Sequence, residues 1–221
     1  MVIRILLLLF VAASFLSNAC ADGNSLLPKY GASPKSEAQK ASDQKFVAEI
    51  DSQYQGDRKK GASEIAMRGW HALRQGDQAT AMRRFNQAWL LDSANGKALW
   101  GMASVWSMQD HSLAALVLFL EAKQYVGEDV DFLVDYARTL GIAGAESKNT
   151  KLLESAFALF EQVYGRAPQH TINLQNWAIT HFYMGNYAEA WKIMRLAETT
   201  PRKAEIDPRF VAALREKMPR P

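Results

Sequence analysis

The chain holds one cysteine, Cys20, in 221 residues. An internal disulfide framework is excluded, and so is a zinc site built on paired cysteines. Its four histidines, His71, His111, His170 and His181, never fall into H-E-x-x-H, so the helix-borne zinc hydrolase pattern is missing. No G-x-S-x-G is present, which removes the nucleophile elbow. GIAGAESK has glycines and a lysine, but not the G-x-x-x-x-G-K-[ST] spacing that cradles phosphate. Asp131 and Asp135 stand one helical turn apart; an acidic helix face is the plain reading and a metal pair the sharper one. Excess charge is also lacking. A net charge of +3 is too weak to mark a nucleic-acid partner. Arg58-Lys59-Lys60 and Arg83-Arg84 read as solvated helix ends. No catalytic residue, metal or cofactor is expected.

Long apolar runs are scarce, and the one that stands out opens the chain. MVIR carries a positive charge, ILLLLFVAASFL is apolar, and SNACAD supplies small residues. That order is an export signal over residues 1–19, too short to span a bilayer comfortably. Two processing routes are open. Ala19-Cys20-Ala21 fits the A-x-A rule for release of a soluble protein ahead of Asp22. Leu16-Ser17-Asn18-Ala19-Cys20 resembles a lipobox, in which Cys20 is lipidated and becomes the mature N-terminus; Ser17 and Asn18 depart from its usual form. By that resemblance, the absence of Asp after Cys20 implies an outer-membrane destination.

Proline, glycine and serine cluster in DGNSLLPKYGASPKS, so residues 20–34 read as a flexible tether. Ser33-Pro34 and a Ser36/Gln39 capping box open a lead-in helix over 35–56. Phe46, Ile50 and Tyr54 give it one apolar side. GDRKKG breaks it.

The body of the chain repeats. Gly69, Ala81, Phe85 and Ala88 return 34 residues later as Ala103, Ala115, Phe119 and Ala122. Ala137, Ala156 and Phe160 continue the series, with Val163 in the last small position. Ala178, Ala190, Met194 and Ala197 give a fourth set. Turn chemistry falls between the halves at Gly76-Asp77 and Gly185-Asn186, and Pro168 and Pro201 stand near unit ends. This pattern resembles the tetratricopeptide repeat. The resemblance implies an all-α, right-handed α-solenoid of about four helix-turn-helix units over 62–201 (about 62–95, 96–129, 130–169 and 171–201). The third set is spaced more widely, and the surplus, Gly141 to Lys151, is expected as a long surface loop. A helix over 207–218, opened by Asp207-Pro208, caps the array.

In this family the first helices of the units line the inner surface. On this sequence that surface includes Trp70, Lys97, Trp100, Asp135, Arg138 and Asn176, the residues expected to contact a partner. Trp89, Trp106, Trp177 and Trp191 are expected in the core. Lys97 and Asn176 match two positions of a set that grips a C-terminal carboxylate in some tetratricopeptide domains; the rest of that set is missing, so that specificity is not implied. Exported tetratricopeptide lipoproteins of this size resemble pilotins and Flp pilus assembly lipoproteins. The implied role is a non-enzymatic adaptor or scaffold that holds a polypeptide at the bacterial envelope. The alternative is a periplasmic protein that binds a glycan or peptidoglycan fragment on exposed tryptophans.

Overall fold

A computed structural model describes residues 23–221. The export segment and Cys20 lie outside the described residues. Among those residues there are ten α-helices and no strand: α1 (Glu37–Gln53), α2 (Arg58–Arg74), α3 (Gln78–Leu91), α4 (Gly96–Met108), α5 (Ser112–Val126), α6 (Val130–Ser147), α7 (Thr150–Arg166), α8 (Thr171–Tyr183), α9 (Tyr187–Glu198) and α10 (Pro208–Lys217). No described helix is long and apolar enough to cross a membrane.

Packing follows chain order. The main partners are α2 with α3, α4 with α5, α6 with α7 and α8 with α9. Each pair joins the next through α3–α4, α5–α6 and α7–α8 contacts. The first helices also touch one another, α2 to α4, α4 to α6 and α6 to α8. They form an inner layer, with α3, α5, α7 and α9 outside it.

The repeated positions are the deepest in the molecule. Phe85, Phe119, Phe160 and Met194 are fully buried, as are the small residues that accompany them on the second helices. The small residues of the first helices make room for these large ones. A Cβ on Gly69 would lie 2.6 Å from the Phe85 ring, and one on Gly101 would lie 2.2 Å from it. Phe85 therefore sits between two glycines, one from its own pair and one from the next. A single helix pair cannot bury this apolar side alone, so neighbouring pairs share it.

Local signals set the helix ends. Ser36 and Gln39 form the reciprocal capping box at α1. Asp77, Asn95 and Asp129 each accept from a backbone N–H three residues on. Asp207 caps α10, with Pro208 in its first turn. α10 closes the array by burying Leu214 against α9, and Trp191 donates its indole N–H to the Met218 carbonyl at 3.0 Å.

Three expectations are corrected. Residues 23–32 are not a loose tether. They form a 3-10 turn, Gly23–Leu26, and a second turn, Pro28–Ala32, whose residues from Lys29 to Ala32 are left-handed, both docked on α3. The fully buried Asn86 holds them by donating to the carbonyls of Ser25 at 2.9 Å and Leu27 at 2.8 Å. The lead-in helix starts at the Ser36 capping box, beyond Pro34, and ends at Gln53. The surplus in the third set is helix rather than loop. α6 runs on to Ser147 and α7 starts at Thr150, leaving two residues between them. The glycines of GIAGAESK serve close packing here: a Cβ on Gly141 would meet Thr180 Oγ1 at 2.5 Å, and one on Gly144 would meet Leu153 Cγ at 2.8 Å.

Candidate functional site in the inner helix layer

The first helices carry the sequence-selected residues in series, Trp70 on α2, Lys97 and Trp100 on α4, Asp135 and Arg138 on α6, and Asn176 on α8. At one end, Trp70 of α2 meets Trp100 of α4 edge to face, with ring centroids 4.6 Å apart. Trp70 donates its indole N–H to the Lys97 carbonyl at 3.1 Å. Trp100 reaches the next pair by donating to Asp135 Oδ2 on α6 at 2.8 Å. Ser104 contributes a longer hydrogen bond to the same oxygen, at 3.4 Å. Thr139 extends the polar seam by donating to Ser107 Oγ at 3.0 Å.

Asp135 is a carboxylate in a poor solvent. Burial raises its pKa above the ordinary value, and the nearby Asp131 charge adds to the rise. The Arg138 charge and the bonds from Trp100 and Ser104 act the other way without cancelling it. Asp131 points elsewhere. It is exposed, and its Oδ1 lies 3.0 Å from His170 Nε2. The two aspartates thus part company, and among the described residues no three His, Cys, Asp or Glu side chains stand together as metal ligands.

At the other end the series has unmet hydrogen-bonding capacity. Arg138 Nε on α6, and Asn176 Nδ2, Trp177 Nε1 and His181 Nδ1 on α8, are buried without a hydrogen-bond partner among the described residues. Asn176 is 5% exposed. The four atoms do not form one cluster: Trp177 packs on Phe160 and Tyr164 and His181 on Phe157, all of α7, whereas Arg138 lies near Asp135 on α6. His181 stacks on Phe157 with centroids 4.6 Å apart, and burial lowers its pKa, which favours the neutral ring.

The selected residues divide by accessibility. Lys97 is exposed, Trp70 and Arg138 are half-buried, and Asn176 is buried. Trp100 is 8% exposed, with its N–H already committed. Its expected role as an open contact surface needs correction: the side chain is buried and its N–H goes to Asp135. Of the tryptophans assigned to the core, Trp191 is fully buried, while Trp89, Trp106 and Trp177 are half-buried. None of the six is exposed; the exposed aromatic rings among the described residues include Tyr125 and Tyr183. Trp177 packs against both apolar clusters of the molecule, the large one up to α7 and the smaller one around α8 to α10.

The unpartnered atoms of Trp177 and His181 were not foreseen in the sequence. Their helical spacing placed them on α8, but burial without a partner depends on how α8 lies against α6 and α7.

No family model matches the chain, and no curated protein matches it.

Proposed function

We propose that this chain is a tetratricopeptide-type adaptor of the cell envelope. In this reading the four helix pairs are four repeat units of a right-handed solenoid. The chain is exported and anchored by lipid at Cys20 to the outer membrane. Its inner layer holds a polypeptide partner in place and catalyses nothing.

One observation carries the reading: the first helices α2, α4, α6 and α8 pack in series and present hydrogen-bonding side chains along it, the half-buried Asp135 and Arg138 on α6 and Asn176 on α8. A polypeptide backbone offers carbonyl acceptors for such donors, and Asp135 supplies an acceptor for backbone N–H groups. Exposed Met67 and Tyr183, on α2 and α8, supply apolar contact at the two ends. A glycan would want open aromatic faces, and the tryptophans here are packed.

The test is capture from cells with and without the donors. A tagged full-length chain is crosslinked in intact cells, purified and analysed by mass spectrometry beside an Arg138→Met/Asn176→Leu variant. One envelope polypeptide, recovered with the parent and lost with the variant while helicity and melting stay intact, supports the reading. Equal recovery with both sinks it.

A further inference from the structure

We infer that the outer face of α5, together with the N-terminal turns beside it, rests on the lipid surface to which Cys20 is tethered. This inference depends on the lipid-anchor reading above. Leu113, Val117 and Leu120 are 57%, 66% and 56% exposed. Their spacing of four and three residues aligns them in one stripe on α5. Scattered surface leucines are ordinary, whereas a continuous stripe on an outer helix indicates a contact.

The N-terminal turns indicate which contact. Leu26 and Leu27 are themselves 39% and 41% exposed. Leu26 lines a cleft with Met82 and Gln109, and Gln109 directly follows α4, shortly before Leu113. Lys29 forms an ion pair with Glu121, next to Leu120 on α5. The segment therefore runs from the start of α5 towards its far half, and Asn86 fixes it there. Cys20 precedes Gly23 by three residues, a reach of at most about 11 Å when fully extended. A lipid on Cys20 would hold the bilayer within that reach of the docked turns. Of the acidic groups near the stripe, Glu121 is paired with Lys29 and Glu146 accepts from Ser112 beside Leu113, while exposed Lys123 on α5 is available to anionic headgroups.

The test uses the lipidated protein in vesicles of phosphatidylethanolamine and phosphatidylglycerol with spin-labelled acyl chains. Lipidation blocks the Cys20 thiol, so Val117→Cys supplies a single labelling site for an environment-sensitive fluorophore. Met67→Cys on α2 serves as the reference. The expected result is a blue shift and several-fold quenching at position 117, neither at position 67, and loss of both effects when Leu113→Asp and Leu120→Asp are added. The mass of the N-terminal peptide reports separately whether Cys20 carries lipid. If it does not, the anchor reading fails, and the mature chain with Cys20→Ser is held to nickel-chelating vesicles by an N-terminal hexahistidine tag for the same readout. Equal water exposure at 117 and 67 in the tethered protein overturns the inference. So does a blue shift without lipid quenching accompanied by a doubled sedimentation mass, which would assign the stripe to a second copy.

Discussion

Trp100 donates its indole N–H to Asp135 Oδ2 at 2.8 Å, joining the second helix pair to the third through a partly buried polar contact. The tryptophan that reads as a surface anchor is thus a positioning group, and the carboxylate it aims is the group whose ionisation is disfavoured by its surroundings.

That carboxylate sets a pH dependence. Burial raises the Asp135 pKa, so the folded state holds this proton more tightly than the unfolded chain does. Its contribution to stability is complete below the ordinary carboxylate value of 3.8 and is lost as pH rises through the raised folded value. Asp135→Asn removes the charge and keeps an oxygen for Trp100. Melting of the two proteins between pH 4 and pH 8 is expected to show the variant gaining on the parent as pH rises. A parent that gains on the variant instead would mean the Arg138 charge outweighs burial.

Phe85 is enclosed by glycines, so the site has no room for an added methyl. Gly101→Ala would place a Cβ 2.2 Å from the Phe85 ring, and the expected cost is about 1–3 kcal/mol from overpacking. Phe119→Ala, at the equivalent second-helix position, is expected to cost about 3–5 kcal/mol through the cavity it leaves. Urea denaturation of both variants checks the pair. Costs below about 0.5 kcal/mol at both sites would mean that the helix pairs do not share this core.

These positions also show what was legible in advance. The burial of Phe85, Phe119, Phe160 and Met194 followed from spacing alone, because a residue that returns with the repeat must meet the same neighbours. The continuation of α6 to Ser147 did not. Gly141 and Gly144 carry the composition of a loop, and their use as close-contact points depends on Thr180 and Leu153, which only the fold brings near. The docked turns at 23–32 were hidden for a similar reason: their partner, Asn86, is about sixty residues away. At the candidate site, the repeat resemblance implied first-helix positions for Trp100 and Asp135, but their hydrogen bond is a product of packing.

Asn86 gives a local test of the docked turns. Asn86→Ala removes both hydrogen bonds to the Ser25 and Leu27 carbonyls. The expected cost is about 1–3 kcal/mol, concentrated in the turns. Limited proteolysis is expected to cut the variant near Lys29 or Lys35 well before the parent, with α2 to α9 still intact. Unchanged resistance would show that other contacts hold the segment.

Asn176 separates stability from binding. Its amide nitrogen is buried and unpartnered, so Asn176→Leu, close in volume, removes a desolvated donor. The isolated variant is expected to be as stable as the parent or more stable by up to about 1 kcal/mol. Its affinity for the captured partner is expected to fall at least about tenfold, or about 1.4 kcal/mol. Lower stability together with unchanged affinity would assign Asn176 to the fold and not to the site.

The central claim is that the inner helix layer holds a polypeptide. The most direct measurement places a photo-crosslinking amino acid, one position at a time, at Met67 of α2, Tyr183 of α8 and Leu196 of outer helix α9, all of them exposed. After irradiation of intact cells, the same protein adduct is expected at positions 67 and 183 and none at 196. Adducts at 196 alone, or at no position, would contradict it.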